Sequence, residues 1–297
     1  MKDVSGHYKG YKGAAFVLLS AFLFGLIPIL ALFAYKSRVS VMSLHFVRFT
    51  IASAALCFLL YMQRGKAALQ VDKRNLLKLF VLGGVMFTLT SFGYFSSIEY
   101  IPASVAALIF YSYPALVSVG SFFVNKERLS RPIILSIIMS FLGLVFLSGK
   151  TAISVSIKGV LLAGLAALSY TSYILYGNFI IRDIPYQVTV AYVCLFSAVS
   201  FLILGIGTHN LALPVACSAW MLLCMIAFIS LFGFLSFFLG VMLTSPSIAA
   251  ILSMAEPLVT VILSLLIFKE SLSVAQCFGG LLVLIGSFLA LKSSASR

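Results

Sequence analysis

Three clusters of residues have the types and spacing to do chemistry. The first is the run ILSMAEPLVTVILSL, residues 251–265, where Glu256 stands next to Pro257 in an otherwise apolar stretch. A carboxyl group in hydrocarbon is costly to desolvate, and proline removes a backbone donor, so each needs a reason to be there. Together they offer a ligand for a cation, an ammonium group or a proton, with the Ser253 carbonyl loosened within one turn of the carboxyl. The second is HFVR, where His45 and Arg48 are three apart and share a helical face. A guanidinium there donates in pairs to a carboxylate or phosphate, with His45 assisting. The competing role is structural, with Arg48 paired to Glu256 or tied to helix-end carbonyls. The third is aromatic. Tyr111 and Tyr113 flank Pro114 in FYSYP, Tyr170 and Tyr173 share a face in SYTSYILYG, and Phe24 and Ser91 lie in neighbouring apolar runs. Rings and hydroxyls at mid-depth form a pocket for an amphipathic molecule or hold a cation over a ring face. For any single tyrosine, ordinary packing is the competing role.

Several other chemistries are excluded. The five cysteines (Cys57, Cys194, Cys217, Cys224 and Cys277) make no C-x-x-C pair, and His7, His45 and His209 are far apart. No metal site, cofactor or disulfide framework is expected. No H-E-x-x-H and no nucleophile with an adjacent base occurs, so the chain is not expected to be an enzyme.

The elements that position these residues follow from composition. The chain has 297 residues, 62% of them hydrophobic and 9% charged, with mean hydropathy +1.17. A soluble surface needs far more charge. Apolar runs of about 20 residues recur throughout, each long enough to span a bilayer. Ten spans are predicted, near 13–35, 40–62, 76–98, 102–124, 131–149, 159–181, 186–207, 217–243, 246–268 and 273–292. The fold class is therefore all-α integral membrane. The first run is read as a span, with no cleavage site after it. At about 1.5 Å per residue, Glu256 lies about 15 Å into its span, close to the midplane.

Pro102, Pro132, Pro185 and Pro246 sit at span starts, where a missing N–H costs nothing. Pro28, Pro114 and Pro257 fall inside spans and are candidate hinges. Lys and Arg divide fourteen to five between the two sides, with Arg48 left in a span, accounting for all 20. That bias predicts cytoplasmic N- and C-termini in a cell membrane. The net charge of +13 is explained by these short basic loops, and no nucleic-acid partner is expected. Glu99, Glu127 and Glu270 lie at span ends and are expected to be interfacial anchors. Ser136, Ser140 and Gly143, like Gly233, Ser236 and Gly240, give small faces for close helix approach. The former set is alternatively a dimer face, so monomer and homodimer both remain open.

The chain also repeats itself. Shifted by 143 residues, ASVAALIFYSYPALVSVGSFFVNKERLS (103–130) lies over PSIAAILSMAEPLVTVILSLLIFKESLS (246–273). Pro114 meets Pro257, Lys126–Glu127 meets Lys269–Glu270, and Gly143 meets Gly286. Each half, 1–150 and 151–297, holds five predicted spans. Five is odd, so the second half enters the membrane in the opposite sense. The expected architecture is ten transmembrane helices as two inverted five-helix repeats.

The Ser-x-Ala-Ala…Pro…Lys-Glu-x-Leu pattern at 104–129 and again at 247–272 resembles the drug/metabolite transporter superfamily, in its EamA-type ten-span branch. The resemblance covers nearly the whole chain. It implies two interwoven halves around a central cavity, lined mainly by spans 1, 3, 4, 6, 8 and 9, with span two usually peripheral. This sequence departs in having Tyr113 before the first proline where the second half has Glu256. The expected function is secondary transport of a small metabolite, an amino acid or related amphipathic compound, outward by alternating access. The alternative is exchange of anionic or nucleotide-linked metabolites, which Arg48, His45, Lys36 and Arg38 favour.

Overall fold

In the computed structural model, residues 4–127, 130–147, 156–214, 216–268 and 273–295 are described, and every regular element among them is helical. In chain order these are α1 (Val4–Lys36), α2 (Val41–Arg64), α3 (Lys73–Phe80), a π-helical segment (Val81–Phe87), α4 (Thr88–Ser97), α5 (Ala103–Phe110) and α6 (Tyr113–Val124). They continue as α7 (Arg131–Leu147), α8 (Ile157–Ile180), α9 (Tyr186–Gly207), α10 (Cys217–Leu243), α11 (Pro246–Leu252), α12 (Glu256–Phe268) and α13 (Val274–Ala295). Eight helical stretches among the described residues are long and apolar enough to cross a membrane, and Arg131–Leu147 and Val274–Ala290 are shorter apolar helices. Large apolar side chains such as Phe58, Phe123, Met221, Leu266 and Phe288 face outward, as a lipid solvent requires. Lys269–Glu270 and Lys150 lie outside the described residues.

Local sequence sets the helix starts. Ser40 caps α2 by accepting the Ser43 N–H, and its hydroxyl also reaches the Asn210 carbonyl at 2.6 Å. Ser245 caps α11, which opens on Pro246. Two predicted continuous spans are broken. Residues 102–124 form α5 and α6 with a break at Tyr111–Ser112, and residues 246–268 form α11, a 3₁₀ turn at Ser253–Ala255, and α12. Pro114 and Pro257 each occupy the second position of the helix after the break, where the absent N–H has no partner to lose. Pro28 lies within the uninterrupted α1. The expected free carbonyl at Ser253 is not free, because the 3₁₀ turn tightens and the Glu256 N–H bonds to it.

Each long packing pair joins one half of the chain to the other: α1 runs along α10, α8 along α4, α2 along α9 and α7 along α13. Small residues set these distances. A Cβ on Gly240 would stand 2.9 Å from the Gly13 carbonyl, and one on Gly233 would strike the Phe24 ring. A Cβ on Gly143 would stand 2.6 Å from the Gly279 carbonyl and 2.8 Å from the Val283 nitrogen. One on Gly286 would stand 2.8 Å from the Ser136 carbonyl and 3.0 Å from the Ser140 nitrogen. Ser136 and Ser140 are fully buried at this crossing, so the dimer-face alternative for them does not hold.

The third span contains a turn that hydropathy does not reveal. Val81–Phe87 is π-helical, with the Gly83–Gly84 pair against α9. Ser197 donates to the Gly83 carbonyl at 3.0 Å and Ser200 to the Gly84 carbonyl at 2.9 Å, while Thr88 also reaches Gly83 at 3.1 Å. Hydroxyl groups thus satisfy carbonyls that a widened turn directs away from its own axis.

The two broken spans are not packed alike. All seven residues of α11 are buried, and α11 lies against α6. None of residues 256–267 in α12 is buried, and among the described residues no comparable packing joins α12 to α5. The broken spans are therefore packed together on the side where α1 begins and apart on the other.

Candidate functional site

The second span delivers Arg48 into the bundle, against the expectation from the resemblance that this span is peripheral. Its helix packs on both α9 and α10, and Arg48 is 7% exposed. The guanidinium carbon stacks 4.3 Å from the Phe49 ring centroid, which lets a planar cation replace water with a π face. Nε is sealed without a partner; the two terminal nitrogens make no hydrogen bond to the described residues, yet they are not sealed. No ion pair within 4.0 Å links Arg48 to Glu256 among the described residues, so the pairing weighed from the sequence is not formed. The two remain electrostatic neighbours.

His45, expected beside Arg48, is boxed by rings. Phe201, Phe95 and Phe49 lie at centroid distances of 4.7, 5.0 and 6.0 Å, and both imidazole nitrogens are buried without partners. Helical spacing put the two residues on one side of α2, but neighbouring phenylalanines close off the imidazole.

Glu256 opens α12 and is half-buried. Its carboxyl makes no hydrogen bond or ion pair with the described residues and is not sealed. Its backbone is pinned to the first span. Thr260 Oγ1 donates to the Gly25 carbonyl at 3.0 Å and to the Glu256 carbonyl at 3.3 Å, and a Cβ on Gly25 would stand 2.9 Å from the latter. Gly25 is adjacent to Phe24, whose ring meets Phe234 at 5.1 Å. Phe234 meets Phe49 at 6.1 Å, and Phe49 carries Arg48. One aromatic wall thus runs from Glu256 to Arg48 through α1, α10 and α2.

A second wall comes from α4, α5, α6 and α8. Tyr94 meets Phe95 at 5.7 Å and Phe110 at 5.2 Å; Phe110 meets Tyr170 at 5.4 Å. Tyr113 packs edge-on against Tyr170 at 4.7 Å. Tyr94, Tyr111, Tyr113 and Tyr170 are all electrostatic neighbours of Glu256. Tyr94 and Phe110 were not singled out from the sequence. The run SFGYFSS (91–97) holds the signal, because Ser91 and Tyr94 are one helical turn apart.

The predicted tyrosines do different things. Tyr113 is 1% exposed, and its hydroxyl donates to the Ala250 carbonyl at 3.5 Å, joining one break to the other. Tyr173 stacks behind Tyr170 at 5.7 Å and is packed against Phe87 and Phe238, with its hydroxyl sealed. It is a core residue in this structure. Tyr111 is buried against Phe110 and Tyr113, at 5.3 and 5.9 Å, and Ser91 is buried on α4 one turn before Tyr94.

Two cavities open at the end where α1 begins. The larger, about 610 Å³, lies between the ends of α6, α8, α10 and α11. On its lining, the Asn125 side-chain carbonyl accepts from Asn178 at 3.3 Å and Arg182 at 3.1 Å. The other, about 420 Å³, lies among the ends of α2, α3 and α9. Neither is lined by Arg48 or Glu256. Among the described residues no three His, Cys, Asp or Glu side chains cluster as metal ligands.

Comparison with known proteins agrees with this architecture. The sequence model of the EamA-like transporter family matches residues 11–149 and again 157–292. A solved structure described as "Crystal structure of protein" superposes with TM-score 0.82 over 95% of this chain and 97% of its own length. At 22% identity that likeness speaks for the fold alone. No curated protein matches the chain.

Proposed function

This chain belongs to the EamA-like transporter family, a family of multi-pass membrane carriers of small molecules, and on that premise we propose that it is a secondary transporter of a small amphipathic metabolite, most simply an amino acid. The observation that carries the reading is the pair of broken spans at positions 143 residues apart, one of which presents the unpartnered carboxyl of Glu256 beside an aromatic wall. Broken helices with polar groups at mid-depth are the binding architecture of many secondary transporters.

We read the fold as ten spans in two inverted repeats, 1–150 and 151–297, with the shorter α7 and α13 completing the count. The α7–α13 crossing supports this. Gly143 meets Gly279 and Val283, while its equivalent Gly286 meets Ser136 and Ser140. Residues 279, 283 and 286 are 136, 140 and 143 plus 143, so each side of the contact is the other's mirror under the repeat. Such reciprocity is what a two-fold axis between the halves requires. The fourteen-to-five charge bias supports placing both termini in the cytoplasm.

Alternating access follows from the unequal packing of the repeats. The α6–α11 contact closes the cytoplasmic end, and the loose α5 and α12 leave the outer end open. Exchanging the two packings carries the site from one side to the other. Pro114 and Pro257, at the breaks, and Pro28, within α1 near Gly25, are the hinges. Arg48, Glu256, Tyr94, Tyr111, Tyr170, Phe24 and Ser91 are the binding residues. His45, Tyr113 and Tyr173 support them from behind. Exchange of anionic or nucleotide-linked metabolites is the second reading. The unbonded terminal nitrogens of Arg48 favour it, and the neighbouring Glu256 carboxyl weighs against it.

The test is flux in proteoliposomes. Glu256→Gln and Arg48→Ala should each reduce saturable uptake at least about tenfold while the protein stays monodisperse, a loss of at least about 1.4 kcal/mol of transition-state or binding energy. Unchanged flux in both variants would remove these residues from the site and leave the transport class standing.

A further inference from the structure

We propose that Arg48 and Glu256 are paired specificity determinants that read opposite poles of one zwitterion, so that the carrier rejects the matching pure amine and the matching pure acid. The inference rests on the transport reading and assigns a charge to each end of its ligand.

Three observations lead to it. One side chain is an acid and the other a base; they are electrostatic neighbours, but no ion pair forms between them. Each keeps its outer polar atoms free of protein hydrogen bonds and unsealed: the terminal nitrogens of Arg48 and the carboxyl oxygens of Glu256. Two aromatic walls run beside the poles. One passes through Phe24, Phe234 and Phe49, and the other through Phe110, Tyr94 and Phe95.

Charges taken out of water need partners, and a group left unpaired costs more than a formed pair gains. An acid and a base in one electrostatic neighbourhood, paired neither with each other nor with another protein group, are held in readiness for something that pairs with both. A pure anion would satisfy Arg48 and leave Glu256 facing rings. A pure cation would satisfy Glu256 and leave Arg48 unbonded beside it. A ligand with one carboxylate and one ammonium satisfies both and adds no net charge to the site. Rings between the poles supply apolar contact for the body of the ligand and few hydrogen bonds, so recognition is concentrated at the two ends.

The experiment uses the full-length protein and three matched compounds: phenylalanine, phenethylamine and 3-phenylpropanoate, with the leucine series (leucine, 3-methylbutylamine and 4-methylpentanoate) in parallel. Ligand-induced thermal stabilisation is measured in detergent, and flux of the same compounds is measured in proteoliposomes. In the wild type, at least one of the two amino acids should stabilise and be carried, with its amine and acid at least tenfold weaker. Glu256→Gln should narrow or invert the gap toward the acid, and Arg48→Gln toward the amine. Arg48→Lys, which keeps the charge, should retain the zwitterion preference. Size-exclusion profiles and unliganded melting temperatures separate misfolding from lost recognition.

The proposal is overturned if neither amino acid stabilises the wild type. An amine or acid that binds as well as its zwitterion overturns it too, as does a uniform weakening of all three compounds in both folded variants. Carriage of an amine or acid alone would sink the two-pole reading and leave the transport reading intact. Folded protein that carries none of the compounds and shows no saturable flux with a wider metabolite mixture would count against both.

Discussion

A methyl group at the α7–α13 crossing tests the packing on which the two-fold reading rests. In Gly143→Ala the new Cβ would stand 2.6 Å from the Gly279 carbonyl, 2.7 Å from Val283 Cγ2 and 2.8 Å from the Val283 nitrogen. Ordinary van der Waals contact begins near 3.4 Å, so the helices must part by roughly 0.8 Å at this point. Two of the three obstructing atoms are backbone, which cannot rotate away. Overpacking of this kind costs about 1–3 kcal/mol, and in a bilayer no hydrophobic force between helices makes up the lost contact. A value near 2 kcal/mol is roughly a thirtyfold shift toward the unfolded form. Gly286→Ala should cost a similar amount, because its Cβ meets the Ser136 carbonyl at 2.8 Å and the Ser140 nitrogen at 3.0 Å. Gly164→Ala is the control. Nothing lies within 4 Å of its Cβ, and alanine favours an α-helix over glycine, so it should melt at or above the wild type. The assay is thermal melting in detergent, followed by dye labelling of thiols exposed on unfolding, with the fully buried Cys194 among them. A wild-type melting curve for Gly143→Ala would refute the packing argument. A severe effect at one glycine with tolerance at the other would refute the reciprocity.

Ser197→Ala removes one of two hydroxyl donors to the Gly83 carbonyl and leaves Thr88 in place, so it should cost only about 0.5–1 kcal/mol in the same melt. A loss as large as that of Gly143→Ala would mean that the π-helical turn depends on that one bond. Tyr113→Phe should cost no more than about 1 kcal/mol, the worth of its hydroxyl's contacts with Ser253 and the Ala250 carbonyl, whereas Tyr113→Ala should cost about 3–5 kcal/mol for a ring that is almost wholly buried. Equal melting of the two variants would remove the ring from the core. In a background without native cysteines, Ser118→Cys with Ile248→Cys should be joined by short bifunctional thiol reagents and block flux, since α6 and α11 are packed together. The repeat-equivalent pair, Val261→Cys with Val105→Cys, should cross-link poorly in the resting protein, and equal yields would refute the one-sided closure.

What was legible in the sequence was what a chain segment decides by itself. Apolar run length fixed the helical class, because a backbone in hydrocarbon must bond internally. The 143-residue shift paired Pro114 with Pro257 as candidate hinges, since proline lacks the N–H that a continuous helix needs, and it paired Gly143 with Gly286. The carboxyl of Glu256 was equally visible, because an ionisable residue stands out against an apolar run. Tertiary structure decided what these residues meet. Arg48 and His45 share a face by helical spacing, yet Phe201, Phe95 and Phe49 close off one while the other keeps free nitrogens. Tyr170 and Tyr173 share a face as well, but Phe87 and Phe238 take Tyr173 into the core. Tyr94 joined the site only because α4 packs on α8, and Arg48 proved unpaired with Glu256 only once α2 and α12 were placed. Periodicity reports the direction of a side chain around its own helix axis. The distance across a bundle depends on small-residue crossings and broken turns in other helices, and no local pattern in the chain encodes that sum.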